Sequence, residues 1–63
     1  MDADRAELSS LATQLRELVD RVAAAGERLD HNPTGDAAAN LYEAERALRT
    51  AVRAVERASK LVS

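Results

Sequence analysis

The chain has 63 residues and therefore forms at most one domain, of a size that needs reinforcement by disulfides, a metal or oligomerisation. It contains no cysteine and a single histidine, which excludes disulfides and thiolate metal sites. The net charge of -2 argues against a chain that mainly coats nucleic acid or anionic lipid. Fourteen alanines and only one aromatic residue, Tyr42, exclude a β-sheet core and indicate an all-α protein.

Apolar residues recur at alternating spacings of three and four in the first half of the chain. This is the 3.5-residue mean period of a helix that packs along another helix. The residues are Leu8, Leu11, Leu15, Leu18, Val22, Ala25 and Leu29. The period predicts a first helix over about residues 4–30, with Asp2 or Asp4 as a candidate N-cap. With Leu8 at heptad position a, the seam consists of a and d residues, and Ala12 and Val19 at e widen it.

Gly26 is the one helix-weakening residue within this seam. It could end the helix at Ala25, since glycine costs about 1 kcal/mol relative to alanine inside a helix. Leu29 nevertheless keeps the phase of the a positions, which favours a helix that continues through Gly26. A glycine at position e would also permit the close approach of a neighbouring helix.

Residues 30–36, DHNPTGD, form the only cluster of helix-breaking residues. Pro33 disfavours helical geometry at Asn32, and Gly35 tolerates a positive φ, so the cluster predicts a turn over about residues 31–34. His31 lies in this turn, where we expect an exposed structural role. No metal or cofactor site is predicted, because no second ligand accompanies this histidine at ligand spacing.

The second half of the chain repeats the heptad pattern and predicts a second helix over about residues 35–62. With Leu41 at position a, the seam runs through Leu41, Ala44, Leu48, Ala51, Val55, Ala58 and Val62. Every d residue is alanine, which lets helices approach closely. Val52 at e and Leu61 at g widen the apolar surface. Tyr42, at b, could cover the end of the hairpin or anchor a partner.

The two helices are expected to pack antiparallel, with a residues of one level with d residues of the other. A turn centred near residue 33 would set Leu18 against Leu48. A register one helical turn later would set Leu18 against Val55. The sequence leaves both registers open.

A lone hairpin would leave much of this wide seam in water. We therefore predict a single-domain, all-α, coiled-coil-like hairpin of two antiparallel helices that dimerises into a four-helix bundle. A larger homo-oligomer and an obligate partner protein remain alternatives. The predicted oligomer interface comprises Leu8, Leu11, Leu15, Leu18, Val19, Val22, Leu41, Leu48, Val52, Val55, Leu61 and Val62.

The second helix also carries a row of cations at outward heptad positions, which we call the basic ridge: Arg46, Arg49, Arg53, Arg57 and Lys60. It could bind phosphate, a nucleotide or nucleic acid, and two ridges in a dimer could grip one phosphodiester. It could equally be a solvated helix face partly neutralised by Glu43, Glu45 and Glu56. The absence of aromatic residues weakens the case for binding single-stranded nucleic acid.

The pattern as a whole points away from catalysis. Positions a and d are apolar from Leu8 to Val62, so the seam holds no buried carboxylate or histidine for a di-metal site, and we expect no catalytic residues. Without a membrane-spanning run or a signal peptide, we expect a cytoplasmic protein, and its arginine and alanine content is typical of GC-rich bacterial genomes. The leading functional hypothesis is a non-enzymatic protein–protein interaction or regulatory module. The alternative is a small nucleic-acid or nucleotide-binding protein.

Overall fold

The structure, a computed structural model, describes residues 2–30 and 36–62. It contains two helices, α1 (Asp2–Leu29) and α2 (Asp36–Leu61), which pack against each other as an antiparallel hairpin. The predicted all-helical hairpin is therefore confirmed. Helix α1 begins two residues earlier than expected and ends one residue earlier. The predicted turn over residues 31–34, including His31, lies outside the described residues.

Helix α1 runs through Gly26 to Leu29, as the phase of Leu29 predicted. Beyond its end, the amide of Asp30 still donates a hydrogen bond to the carbonyl oxygen of Gly26 at 2.9 Å. Charges at the helix ends suit the helix dipole, since Asp2 and Asp4 lie in the first turn of α1 and Arg28 lies in the last. Helix α2 repeats this arrangement with an acidic first turn and a basic last turn.

The hairpin is a long, single layer of two helices. Its Cα atoms extend over 50 × 14 × 9 Å, with a radius of gyration of 14.7 Å. A globular chain of this length would have a radius of gyration of about 11 Å. Within the described part of the chain, the buried apolar residues are few and small: Ala12, Val19, Ala38 and Val52. Two helices alone thus enclose very little core.

The helices contact each other through heptad positions a and e. The prediction that they would contact each other through positions a and d is therefore wrong for the contact within the chain. In α1 the buried residues are Ala12, Val19 and Gly26, all at e. The d leucines Leu11 and Leu18 remain 40% exposed. Small residues at e let the helices approach closely, and the long d leucines are displaced to the flank.

Contact through positions a and e also bears on the register of the hairpin, that is, on which residues of α1 and α2 lie opposite each other. Val19 and Val52 line one groove between the helices, and Ala12 and Ser59 line another. Position e of α1 therefore lies opposite position e of α2. Both registers expected from the sequence paired d with a, so neither is the observed one.

Candidate interaction surfaces

The a/e contact gives the hairpin two unlike sides. In antiparallel helices that pack through equivalent positions, equivalent flanks project to the same side of the pair. All d residues therefore lie on one side, and all b residues lie on the other. We call the first the apolar side, formed by Leu11, Leu18, Ala25, Ala44, Ala51 and Ala58. We call the second the polar side, formed by Arg16, Tyr42, Arg49 and Glu56.

The apolar side has large side chains on α1 and small ones on α2. Leu11 and Leu18 are 40% exposed, and the alanines opposite them are half-buried. A groove of about 400 Å³ opens on this side, where Leu18 and Val22 of α1 meet Leu41 of α2. Leu61 continues the apolar surface at the end of α2 and is 86% exposed. An apolar surface of this kind on so small a chain is typical of a contact site.

The polar side carries contacts that join the two helices within the chain. Arg16 of α1 forms an ion pair with Glu56 of α2. At the open end of the hairpin, Nη2 of Arg5 donates a hydrogen bond to the carbonyl oxygen of Val62 at 2.8 Å. This guanidinium meets one of the last carbonyl groups after α2, where the helix dipole favours a cation. The polar side is therefore already occupied by partners from its own chain.

Tyr42 covers the turn end of the hairpin, one of the two roles considered for it from the sequence. Its ring lies over Gly26, so close that a Cβ atom at position 26 would be 2.8 Å from Cε1 of the ring. Gly26 thus provides the space for the tyrosine ring and not only for a helix backbone. The close approach expected at this glycine is explained by a single aromatic contact.

We expect the effect of the substitution Gly26→Ala on stability to depend on whether Tyr42 is present. In a Tyr42→Ala protein it should raise the free energy of unfolding by about 1 kcal/mol, because alanine is the better helix former. With Tyr42 present this gain should be lost, because the new methyl group displaces the ring. Urea unfolding of the four variants measures the coupling.

Ala24→Gly, at an exposed position of the same helix, serves as the control for intrinsic helix propensity. It should lower stability by about 1 kcal/mol in either background. Equal effects of Gly26→Ala with and without the tyrosine would contradict the contact.

Tyr42 also titrates unusually for a tyrosine. Partial desolvation raises the pKa of Tyr42 above its ordinary value of 10.0, and neighbouring carboxylates raise the pKa further. These carboxylates belong to Asp30, Glu27 and Glu45. Because the protonated form is favoured in the folded chain, this group stabilises the hairpin below pH 10.0, and the contribution is lost as the pH rises through the raised pKa.

An ultraviolet titration can test this directly, because the chain has no other tyrosine and no tryptophan. We expect the phenolate absorbance of the folded protein to appear with a midpoint above pH 10.0 and to return to 10.0 in denaturant. The same midpoint in both conditions would contradict the packing of the ring against α1.

The basic ridge lies on the solvent-exposed surface of α2, where all five of its residues are exposed. Arg49 is held by Glu45, whose Oε2 lies 2.6 Å from its Nη2. No ion pair joins the other four cations to a residue within the described ranges. A groove of about 330 Å³ borders the ridge between Arg49, Arg53 and Arg16 of α1, but Arg16 is paired with Glu56. The ridge is thus accessible and partly neutralised.

The residues predicted for an oligomer interface fall into two groups within the chain. Val19 and Val52 are buried between α1 and α2, and the a residues are half-buried along the same contact. Leu11, Leu18 and Leu61 are exposed and remain available for a second molecule. Their role in an oligomer stays a prediction.

No group of three or more His, Asp or Glu side chains within residues 2–30 and 36–62 could hold a metal ion. Neither of the helices described has the length and hydrophobicity needed to cross a membrane. No protein-family model, curated protein or solved structure matches the chain significantly. The feature of this all-helical hairpin that bears most directly on function is its one uncovered apolar side.

Proposed function

We propose that this chain is a non-enzymatic interaction module of regulatory type that acts as a homodimer. Two hairpins would join through their apolar sides into a four-helix bundle. The outer surface of this bundle, including the polar sides and the basic ridges, would be left to recognise another protein. The observation that carries the proposal is the 40% exposure of Leu11 and Leu18 beside a row of alanines.

The small size of the intrachain core supports a second copy as the occupant of the apolar side. Within residues 2–30 and 36–62, the largest buried side chains are those of valine, and the most deeply buried residue is an alanine, Ala38, at 1% exposure. A chain of this length without disulfides or metal rarely obtains more than about 3–5 kcal/mol from its own core. A second hairpin would cover the exposed leucines and complete that core.

The position of the polar contacts supports the choice of side. The Arg16–Glu56 ion pair lies on the polar side, and burying it beneath another chain would remove charges from water at a high cost. The d residues of the apolar side carry no charge, and the arginines that line its groove, Arg21 and Arg28, are exposed at its edge, so the d residues can be covered at a lower cost.

Size-exclusion chromatography with light scattering tests the proposal. We expect a mass of twice the 6.8 kDa chain at micromolar concentration, with a thermal transition that rises with concentration. A stable, fully helical monomer would overturn the homodimer and would leave a different protein as the occupant of the apolar side.

Phosphate binding by the basic ridge is the second candidate function. It is favoured by the exposure of all five ridge cations, four of which have no ion pair among the described residues. In a dimer formed through the apolar sides, the two ridges would lie on opposite outer surfaces. Each ridge would then act alone, and the two would not grip one phosphodiester together.

This second function predicts salt-sensitive binding to duplex DNA or to cyclic dinucleotides. Arg53→Ala and Arg57→Ala should each weaken DNA binding and reduce the salt slope by about 0.9 per lost phosphate contact. Arg5→Ala, which removes an exposed arginine of α1 outside both the ridge and the apolar side, is the matched control and should leave binding unchanged. Absence of binding at low salt would remove this function.

A further inference from the structure

We propose that the two hairpins of the dimer lie with their turns at the same end, so that α1 of each subunit packs on α2 of the other. The inference rests on the proposed dimer and specifies its architecture. It follows from the heights of the apolar residues along the hairpin, from their sizes, and from the charges at the edge of the apolar side.

The heights are set by the register within one chain. Val19 lies near the height of Val52, since both line one groove, and Ala12 lies near the height of Ser59 for the same reason. A two-fold axis parallel to the helices would place α2 of the partner subunit at the same height as the chain's own α2. Residues that lie at the same height within one hairpin would therefore also lie at the same height when one of them belongs to the partner subunit.

With this arrangement the d residues of α1 meet gaps that are lined mainly by small residues. Leu18 falls between Ala51 and Ala54 of the partner subunit. Leu11 falls between Ala58 and Leu61 of the partner subunit. Ala25 lies between Ala44 and Ala47 of the partner subunit, where the least space is needed. Leucines would thus enter gaps lined mainly by alanine, as interdigitated packing requires.

The opposite arrangement, with the turns at opposite ends, would pack α1 on α1 and α2 on α2. Leucine would then meet leucine on one half of the interface, and alanine would meet alanine on the other. These two contacts require different distances between helix axes, because helix separation follows the size of the contacting residues. To satisfy both contacts, the two hairpins would have to tilt away from each other along one edge. The preferred arrangement has two identical contacts.

Charges at the edge of the apolar side agree with the same arrangement. Arg28 is exposed near the turn end of α1, and no ion pair joins it to another described residue. At its height on α2 lies Glu43, which is also exposed and points away from the hairpin contact. With the turns at the same end, Arg28 would face Glu43 of the partner subunit.

Disulfide trapping can test the arrangement in the full chain, because the natural sequence contains no cysteine. Two single variants, Ala25→Cys and Ala44→Cys, are refolded together and mildly oxidised. We expect a covalent dimer from roughly half of the assembled pairs, since random pairing brings the two variants together that often. Neither variant should give a covalent dimer alone.

The matched control mixes Ala25→Cys with Ala58→Cys, which occupies the same heptad position on α2 about 21 Å further along the helix. This mixture should give no covalent dimer, because a disulfide needs Cα atoms within about 7 Å. A covalent dimer of Ala51→Cys alone would overturn the arrangement, because it requires α2 to pack on α2. A non-covalent dimer without cross-links in the first mixture would overturn it too. A monomeric mass before oxidation would instead overturn the proposed dimer itself.

Discussion

The substitution Val19→Lys is expected to unfold the hairpin. Val19 is 6% exposed between α1 and α2, in a groove bordered by Arg16, Arg49 and Arg53. A lysine there would lose hydration and face three arginines against the single carboxylate of Asp20, at a cost of several kcal/mol. Because the whole core of such a small chain supplies about 3–5 kcal/mol, no stable fold should remain. Circular dichroism during heating should show low helicity and no cooperative transition.

Arg53→Ala, at an exposed position beside the same groove, is the control for this experiment. Its free energy of unfolding should stay within about 0.5 kcal/mol of the natural protein, as is usual for surface substitutions. A cooperative helical transition in Val19→Lys would mean that the a/e contact is not the core of the hairpin.

The same substitution one residue earlier, Leu18→Lys, is expected to separate the subunits. Leu18 lies on the apolar side and is already 40% exposed in the single chain. Lysine and leucine are nearly equal helix formers, so the helix itself loses little. In the dimer, however, the ammonium group would lie in an apolar contact without a partner, which costs several kcal/mol.

Light scattering of Leu18→Lys should therefore give the mass of one chain, whereas we expect the mass of two chains for the natural protein. Its thermal transition should also become independent of protein concentration, since no association stabilises the folded state. A dimeric Leu18→Lys protein would place the interface elsewhere than the apolar side. Together, the two adjacent lysines distinguish the contact within the chain from the contact between chains.

The helices and their separation at a single turn could be predicted from the sequence because they depend on local signals. The 3.5-residue period and the helix-breaking cluster around Pro33 act over a few residues. The choice between Leu18 and Val19 as the inward residue is different. The d residues and the e residues of α1 form two neighbouring apolar stripes. Which stripe faces α2 depends on how closely the two whole helices can approach.

In the folded chain, small residues at position e favour this position over position d in the contact between α1 and α2. Ala12 and Gly26 at position e allow a short distance between α1 and α2, whereas the d leucines would hold the helices apart. The contact between Gly26 and Tyr42 was also out of reach for sequence reasoning, although Gly26 was recognised as a site of close approach. Identifying its partner requires the register, and the register follows from the a/e choice.

The apolar character of the seam affects how strongly two subunits would prefer one alignment along their length over another. Within residues 2–30 and 36–62, no polar or charged side chain is buried. In helical assemblies, a buried polar residue commonly fixes which layers meet and how many chains assemble. Here the contacts between leucines and alanines at position d, together with charges at the edge such as Arg28 and Glu43, would distinguish one alignment from another. Ionic strength would then act on alignment more than on affinity, because salt screens exposed charges and leaves apolar burial intact.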